Sequence, residues 1–409
     1  MIKKKKLILV FLAVFLQIEA LFACEYNIRD TGFVDLGFYR YQLYCYVNDN
    51  TTNDITTCFQ KTVKVALTET NIQPQIVNID RQKKHPAIKY INQWGIKSFP
   101  AAILVSPDNN SIPVNIFKSG QPFEQTLQAA ITGIVSSPLC RQILKRIDKA
   151  MAVILLIEGK EPQENEKVRQ IATDAIESIV RQMKLMPKFI EDQPALIIIE
   201  QQFLSAERSF LWSLGLDTDR ITEPVVAVLY ARARLMGPVL KGKMITKNIL
   251  TNIVAVIGAD CECGLDRRWM RGRILPVKWD ADMQTRVAKS LGFDPENPMV
   301  KLDVSRILKY DINEDNLSWD PKFLSNMPVG SRELKIDFDF NRNIAENQNL
   351  NNKGKNAIRT MKKQVELRND TLLNDGIYLR RSLYLGCGIS ALVIFSGVFI
   401  IIKGLRKKL

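Results

Sequence analysis

A proline at the head of a buried strand is the feature that most limits how this chain can fold. Gly95 to Val105 reads G-I-K-S-F-P-A-A-I-L-V. A helix ends near Trp94, Gly95 makes the turn, and Pro100 opens a run apolar enough to be a buried strand. Proline gives a sheet no N–H donor and is tolerated mainly at the first residue of a strand. The pattern recurs. Trp212 to Leu229 reads W-S-L-G-L-D-T-D-R-I-T-E-P-V-V-A-V-L, with Gly215 and Pro224 in the same roles. Pro113 and Pro238 follow at nearly equal distances, and Cys140 and Cys261 close the two copies. Two copies of one α/β unit are the expectation.

The flanking segments fit this reading. In the first copy a tyrosine-rich strand spans Tyr39 to Val47, a polar loop Asn48 to Thr57, and a helix Cys58 to Leu67. Strand Gln75 to Ile79, helix Pro86 to Trp94, strands Pro100 to Val105 and Ile112 to Phe117, and helix Phe123 to Val135 follow. In the second copy the strands are Ala152 to Ile157, Ala195 to Ile199, Pro224 to Tyr230 and Leu235 to Leu240. Its helices are Glu164 to Met186, Leu204 to Leu214 and Met244 to Ile257, the first with an unbroken apolar face through Val168, Ala172, Ala175 and Ile179. The order strand, helix, strand, helix, strand, strand, helix resembles the thioredoxin fold. Phe99-Pro100 takes the place of that family's cis-proline, with Pro224 its counterpart. The resemblance implies a peptide-binding groove beside Phe99, Pro100 and Pro224.

The family's redox chemistry needs C-x-x-C where the first strand meets the first helix, because the helix N-terminus stabilises the attacking thiolate. The first copy offers only Cys58, and the second has Glu158 to Glu164 with no cysteine. Cys58 is then a reactive thiol or a half-cystine, with Cys45 a nearby partner. Cys261-Glu262-Cys263-Gly264 is a C-x-C pair, which can close a small strained disulfide of redox use; one of the two can instead bond Cys140. Disulfide candidates are therefore Cys45, Cys58, Cys140, Cys261 and Cys263. Of the seven cysteines, Cys387 falls in an apolar tail and Cys24 at the end of a leader. If the leader is cut before an unmodified Cys24, an even number remains for bridges.

The leader, residues 1–23, has Lys3 to Lys6, an apolar run from Leu7 to Leu16, and Ala23 before Cys24. That is the layout of a bacterial secretory signal peptide. Leu21-Phe22-Ala23-Cys24 also resembles a lipoprotein signal, which would lipidate Cys24. An uncleaved N-terminal anchor is the alternative. Leu383 to Ile402 is apolar, uncharged and long enough to span a bilayer, so residues 403–409 are a basic cytoplasmic tail and the N-terminal domains are exported. Between them lie unit one (24–145), unit two (150–262), an appendage on unit two (263–340) with helices Ala281 to Leu291 and Val300 to Lys309 and an alternating edge strand Glu333 to Phe340, and a linker and stalk (341–382).

Much of the net charge of +14 sits at the two ends, and the remainder gives no argument for nucleic acid. Arg267, Arg268, Arg271 and Arg273, with Arg232 and Arg234, form a basic patch able to hold a carboxylate or phosphate; a solvated face, or pairing with Asp260, Glu262 and Asp266, is the other reading. No phosphate loop or dinucleotide fingerprint is present, so no cofactor is expected. A closed zinc site wants four Cys or His ligands, and His85 is the single histidine, so no metal is expected. The expectation is a membrane-anchored α/β protein that binds an envelope or membrane protein partner without catalysis. Alternatives are a thiol–disulfide oxidoreductase using Cys261 and Cys263, and an accessory ectodomain of an exporter or envelope complex.

Overall fold

Two four-stranded sheets of the same strand order organise the molecule. The computed structural model describes residues 26–186, 188–259 and 267–308. In chain order the first part comprises α1 (Ile28–Phe33), β1 (Tyr41–Val47), α2 (Asn53–Leu67), β2 (Ile72–Asn78), α3 (Ile88–Trp94), β3 (Ala101–Val105), β4 (Ser111–Val114), α4 (Phe123–Val135) and α5 (Pro138–Ile147). The second comprises β5 (Val153–Ile157), α6 (Pro162–Met183), β6 (Ala195–Ile199), α7 (Arg208–Ser213), β7 (Val225–Tyr230), β8 (Arg234–Lys241) and α8 (Lys247–Ile257), followed by α9 (Ala281–Leu291) and α10 (Pro298–Leu308).

The first sheet runs β2-β1-β3-β4 and the second β6-β5-β7-β8. In each, the first pair is parallel and the next two are antiparallel. The glycines that mark the repeat both take left-handed backbone, Gly95 at φ 60° and Gly215 at φ 80°, which costs glycine nothing. Each thereby ends the helix that precedes its proline-led strand.

The first sheet is covered on both faces. On one, Leu43 and Cys45 pack with Phe59 and Val63 of α2 and Leu127 and Ile131 of α4. On the other, Tyr46, Val77 and Ile103 pack with Tyr90 and Ile91 of α3. The second sheet shares one large core with its own helices and with three elements from elsewhere in the chain.

The first of these is α1. Its Asn27–Asp30 capping box starts a helix of six residues, all buried. Ile28 N–H donates to the Ala259 carbonyl (2.9 Å), and Arg29 donates to the carbonyls of Asp148 (2.6 Å) and Ala150 (3.1 Å). Ile28 and Phe33 are fully buried, each stabilising by roughly 1.5–3 kcal/mol. This segment, expected with unit one, packs in the core of the second sheet. The second is α5, which the sequence reading missed. Ser137 caps it by accepting from Cys140 N–H, and Pro138 occupies the first turn, where its missing donor costs nothing. Leu139, Ile143 and Ile147 enter the same core. The third is the appendage, through Val277, Trp279, Met283, Val287, Val300 and Val304. It also reaches the first unit, since Trp279 N–H donates to the Glu69 carbonyl (2.7 Å) and Lys278 N–H to that of Val135 (3.0 Å).

The leader, Cys24, Cys261 and Cys263, residues 333–340, the linker, and the apolar stretch Leu383 to Ile402 lie outside the described residues. Among the described residues no helix is long and apolar enough to cross a membrane.

Candidate functional site

In each unit the strand–loop–helix junction, where a thioredoxin-type thiol would stand, belongs beside the proline-led strand. The two junctions differ. In the first unit, the loop Asn48–Thr52 joins β1 to α2 and is tied by polar contacts. Asn48 N–H donates to the Thr51 hydroxyl oxygen (3.1 Å), and that hydroxyl donates to the Asn48 side-chain oxygen (2.8 Å). Asp49 accepts from Asn78 (3.0 Å) and pairs with Arg81 (2.7 Å). The Asn78 hydrogen bond, foremost, holds the Asp49 carboxyl below its ordinary range. The Phe99–Pro100 bond is cis, with both residues half-buried. Phe99 packs at the border of an aromatic cluster: Tyr44 stacks on Tyr90 at 6.2 Å and meets His85 edge-on at 6.0 Å. Tyr90 donates to the Asn109 side chain (3.2 Å) and Trp94 to the Ser111 hydroxyl (2.9 Å).

Cys58 is not where the spacing put it. Helix α2 starts at Asn53 rather than Cys58, so half of the expected loop is helical. Cys58 is therefore beyond the first turn, whose N–H groups are the free ones. The first turn, Thr52 to Ile55, holds no cysteine. Phe59, Val63 and Leu67 form the buried stripe of this helix, and Cys58 precedes it by one residue, about 100° round the axis. Cys45 faces the core from β1. Cys45, Cys58 and Cys140 stand as free thiols in this structure. Burial pushes the Cys45 thiol up to about 12 and, as the largest cause, the Cys140 thiol up to about 11.

In the second unit the junction is sealed. A Cβ added at Gly159 would stand 2.6 Å from the Glu223 carbonyl carbon and 2.7 Å from the Pro224 nitrogen. The loop thus rests directly on the backbone before β7. Lys160 N–H donates to the Thr222 carbonyl (2.9 Å). The buried Asn165 amide closes the loop on itself, accepting from Gly159 N–H (2.8 Å) and donating to the Gly159 carbonyl (3.1 Å). Glu158 pairs with Arg169 at 2.8 Å. Pro224 is buried and its bond to Glu223 is not cis. Pro224, expected beside a groove, is covered by the backbone at Gly159.

The architecture is consistent with two tandem thioredoxin-like units. No family model and no curated protein sequence matches the chain. Solved structures similar to part of it include human ERp44, at 13% identity over 55% of this chain and 53% of that chain, with a TM-score of 0.22. The first two thioredoxin domains of Naumovozyma dairenensis Eps1p match at 10% identity over 50% of this chain and 85% of that one, TM-score 0.20. Those of Saccharomyces cerevisiae Eps1p match at 10% over 53% and 90%, TM-score 0.19. The chain spans about half the length of human ERp44.

Four arginines of the basic patch bond to other segments of the chain. Arg273 pairs with Asp108 and donates to the Ser213 carbonyl (2.9 Å). Arg271 donates to the Leu308 carbonyl (2.9 Å). Arg232 pairs with Glu296, and the buried Arg234 donates to the carbonyls of Gly272 (2.9 Å) and Val34 (3.3 Å). These guanidiniums join segments of the chain. Arg267 and Arg268 lie in a short 3-10 turn, and nothing further is described of them. Among the described residues no cluster of His, Cys, Asp and Glu could hold a metal. The Tyr44–Tyr90–His85 cluster is what sequence reasoning missed. Its signal was the alternation of Tyr44 and Tyr46 on one face of a tyrosine-rich strand.

Proposed function

We propose that the chain is a membrane-anchored, non-catalytic protein whose first thioredoxin-like unit binds an envelope or membrane protein through the surface beside Phe99 and Pro100. The observation that supports it is chemical. Neither junction carries a cysteine in its first helical turn, and the second has no room for a side chain at Gly159. Thiol–disulfide exchange needs an accessible thiolate with a second sulfur in reach. The leader and the apolar stretch Leu383 to Ile402 support export and anchoring.

Insulin reduction by the purified protein, with dithiothreitol as electron donor, tests the reading. The expected rate is that of dithiothreitol alone. A faster rate abolished by Cys58→Ser overturns the non-catalytic reading. A faster rate abolished by Cys261→Ser or Cys263→Ser replaces it with the C-x-C oxidoreductase.

A further inference from the structure

Among the described arginines, Arg29 and Arg234 are buried, at 4% and 3% exposure, and they are satisfied differently. Arg234 donates to carbonyls from all three guanidinium nitrogens. Arg29 donates from Nε to the Ala150 carbonyl (3.1 Å) and from Nη2 to that of Asp148 (2.6 Å). Among the described residues its Nη1 bonds to nothing, and no carboxylate pairs with it. Buried donors are ordinarily bonded and buried charges paired. Asp30 and Asp148 act on Arg29 through space, but each is bonded to another cation. Lys188 holds Asp30 at 2.7 Å, and Arg286 holds Asp148 at 3.0 Å.

Arg29 lines a cavity of about 610 Å³ formed by α1, the turn after α5, the loop before β6 and the end of α9. Its lining holds five cations and three carboxylates, which leaves two positive charges in excess. The third carboxylate, Glu191, is held by Lys149 at 2.9 Å. Lys289, exposed in the cavity wall, has no ion pair among the described residues. Arg29 and Lys289 are therefore the two cations left over. Phe189 also lines the cavity and is 91% exposed, and Leu185, four residues earlier, is 66% exposed. We propose that this cavity binds a phosphate monoester, Arg29 and Lys289 taking the phosphate oxygens and Phe189 the apolar part of the ligand. A monoester carries about −1.5 to −2 at pH 7, which matches the excess, whereas a diester stays singly charged. Guanidinium donors suit phosphate oxygens. The monoester is a lipid headgroup, as in phosphatidic acid, or a soluble ester. The exposed Phe189 and Leu185 favour the lipid, since apolar side chains flanked by cations enter the interface of an anionic bilayer.

Isothermal titration calorimetry on the purified full-length chain in non-ionic detergent tests this. The probes are glycerol 3-phosphate, dihexanoyl phosphatidic acid and, as the diester control, dihexanoyl phosphatidylcholine. Binding of a monoester and none of phosphatidylcholine is expected. Lys289→Glu, at an exposed position, should weaken it about tenfold or more, the worth of one charged hydrogen bond, with the thermal melt retained. Arg29→Lys keeps the charge but loses the fork and should weaken it likewise. Because Arg29 also holds two carbonyls, that variant can fail to fold, and Lys289→Glu then decides alone. Phe189→Ser separates the two sources. Weaker phosphatidic acid binding with glycerol 3-phosphate unchanged assigns the lipid, and equal affinity for the two monoesters assigns the soluble ester. A chain that binds neither monoester overturns the proposal. So does binding that Lys289→Glu leaves unchanged, or phosphatidylcholine bound as tightly as phosphatidic acid.

Discussion

Gly159 lies against Pro224, with no atom's width between the loop after β5 and the backbone that leads into β7. The contact turns a missing thiol into a steric fact. A side chain at 159 has to displace main chain, since the nearest neighbours of its Cβ are all backbone atoms of Glu223 and Pro224. Gly159→Ala is therefore expected to destabilise by about 1–3 kcal/mol, the usual cost of overpacking. That lowers the melting temperature by several degrees. Gly95→Ala meets nothing within 4 Å and has only its left-handed backbone, φ 60°, to resist it, so it should cost less. Differential scanning calorimetry on the two variants decides this, and equal losses would contradict it.

The free thiols should separate by access. Cys45 and Cys140 are buried and Cys58 is half-buried. With the Cys45 thiol pushed up to about 12, its thiolate fraction at pH 8 is about 10⁻⁴. Iodoacetamide on the native protein at that pH should label Cys58 and spare Cys45 and Cys140, whereas all three should label in denaturant. Native labelling of Cys45 at the rate of Cys58, or a Cys45–Cys58 linked peptide, would contradict the assignment.

How much of this was legible depends on whether the determining contacts are local. Phe123 to Val135 and Ala281 to Leu291 were bounded correctly because their apolar spacing and their end signals, such as Asp280 and Gly292, lie within the helices or beside them. Gly95 and Gly215 were legible because a left-handed residue after a helix selects glycine. Helix α1 was not, since six residues carry little periodicity and Ile28 and Phe33 are buried by segments far along the chain. Helix α5 was missed because its buried face, Leu139, Ile143 and Ile147, packs in the core of the second sheet, whose strands lie further along the chain. Cys58 was set one turn early because Asn53, Asp54 and Thr56 look like loop residues, although the first two favour a helix's opening turn. At the candidate site, Arg273 looked available to an anion because its partners, Asp108 and Ser213, are remote in sequence.

Arg273 has an asymmetric role that mutation can expose. Asp108 is about half exposed at 49%, so solvent screens the pair and its loss should cost little. The Ser213 carbonyl belongs to a residue with 0% exposure, and without its donor it is left unsatisfied. Asp108→Ala should cost under about 1 kcal/mol and Arg273→Ala about 1–3 kcal/mol. Urea titration measures both; a larger loss for Asp108→Ala would assign the energy to the ion pair instead.

Glu296 supplies the acid-sensitive contact of the appendage. It pairs with Arg232 and with Lys301 at 2.5 Å, and the Arg232 guanidinium lies 5.3 Å from the Trp279 ring centroid. Burial by itself would raise its carboxyl, but the Lys301 hydrogen bond and the Arg232 charge outweigh burial and hold it below its ordinary 4.5. A carboxyl lowered in the folded state adds stability above its unfolded value and loses it as pH falls through the folded one. Wild type should therefore exceed Glu296→Gln in melting temperature at pH 7. The two should converge between about pH 5 and pH 3, as the folded carboxylate is protonated and Arg232 loses its counter-charge. Melting curves across that range test it: a difference unchanged at pH 3 would mean that the Glu296 contact acts through packing and not through its charge.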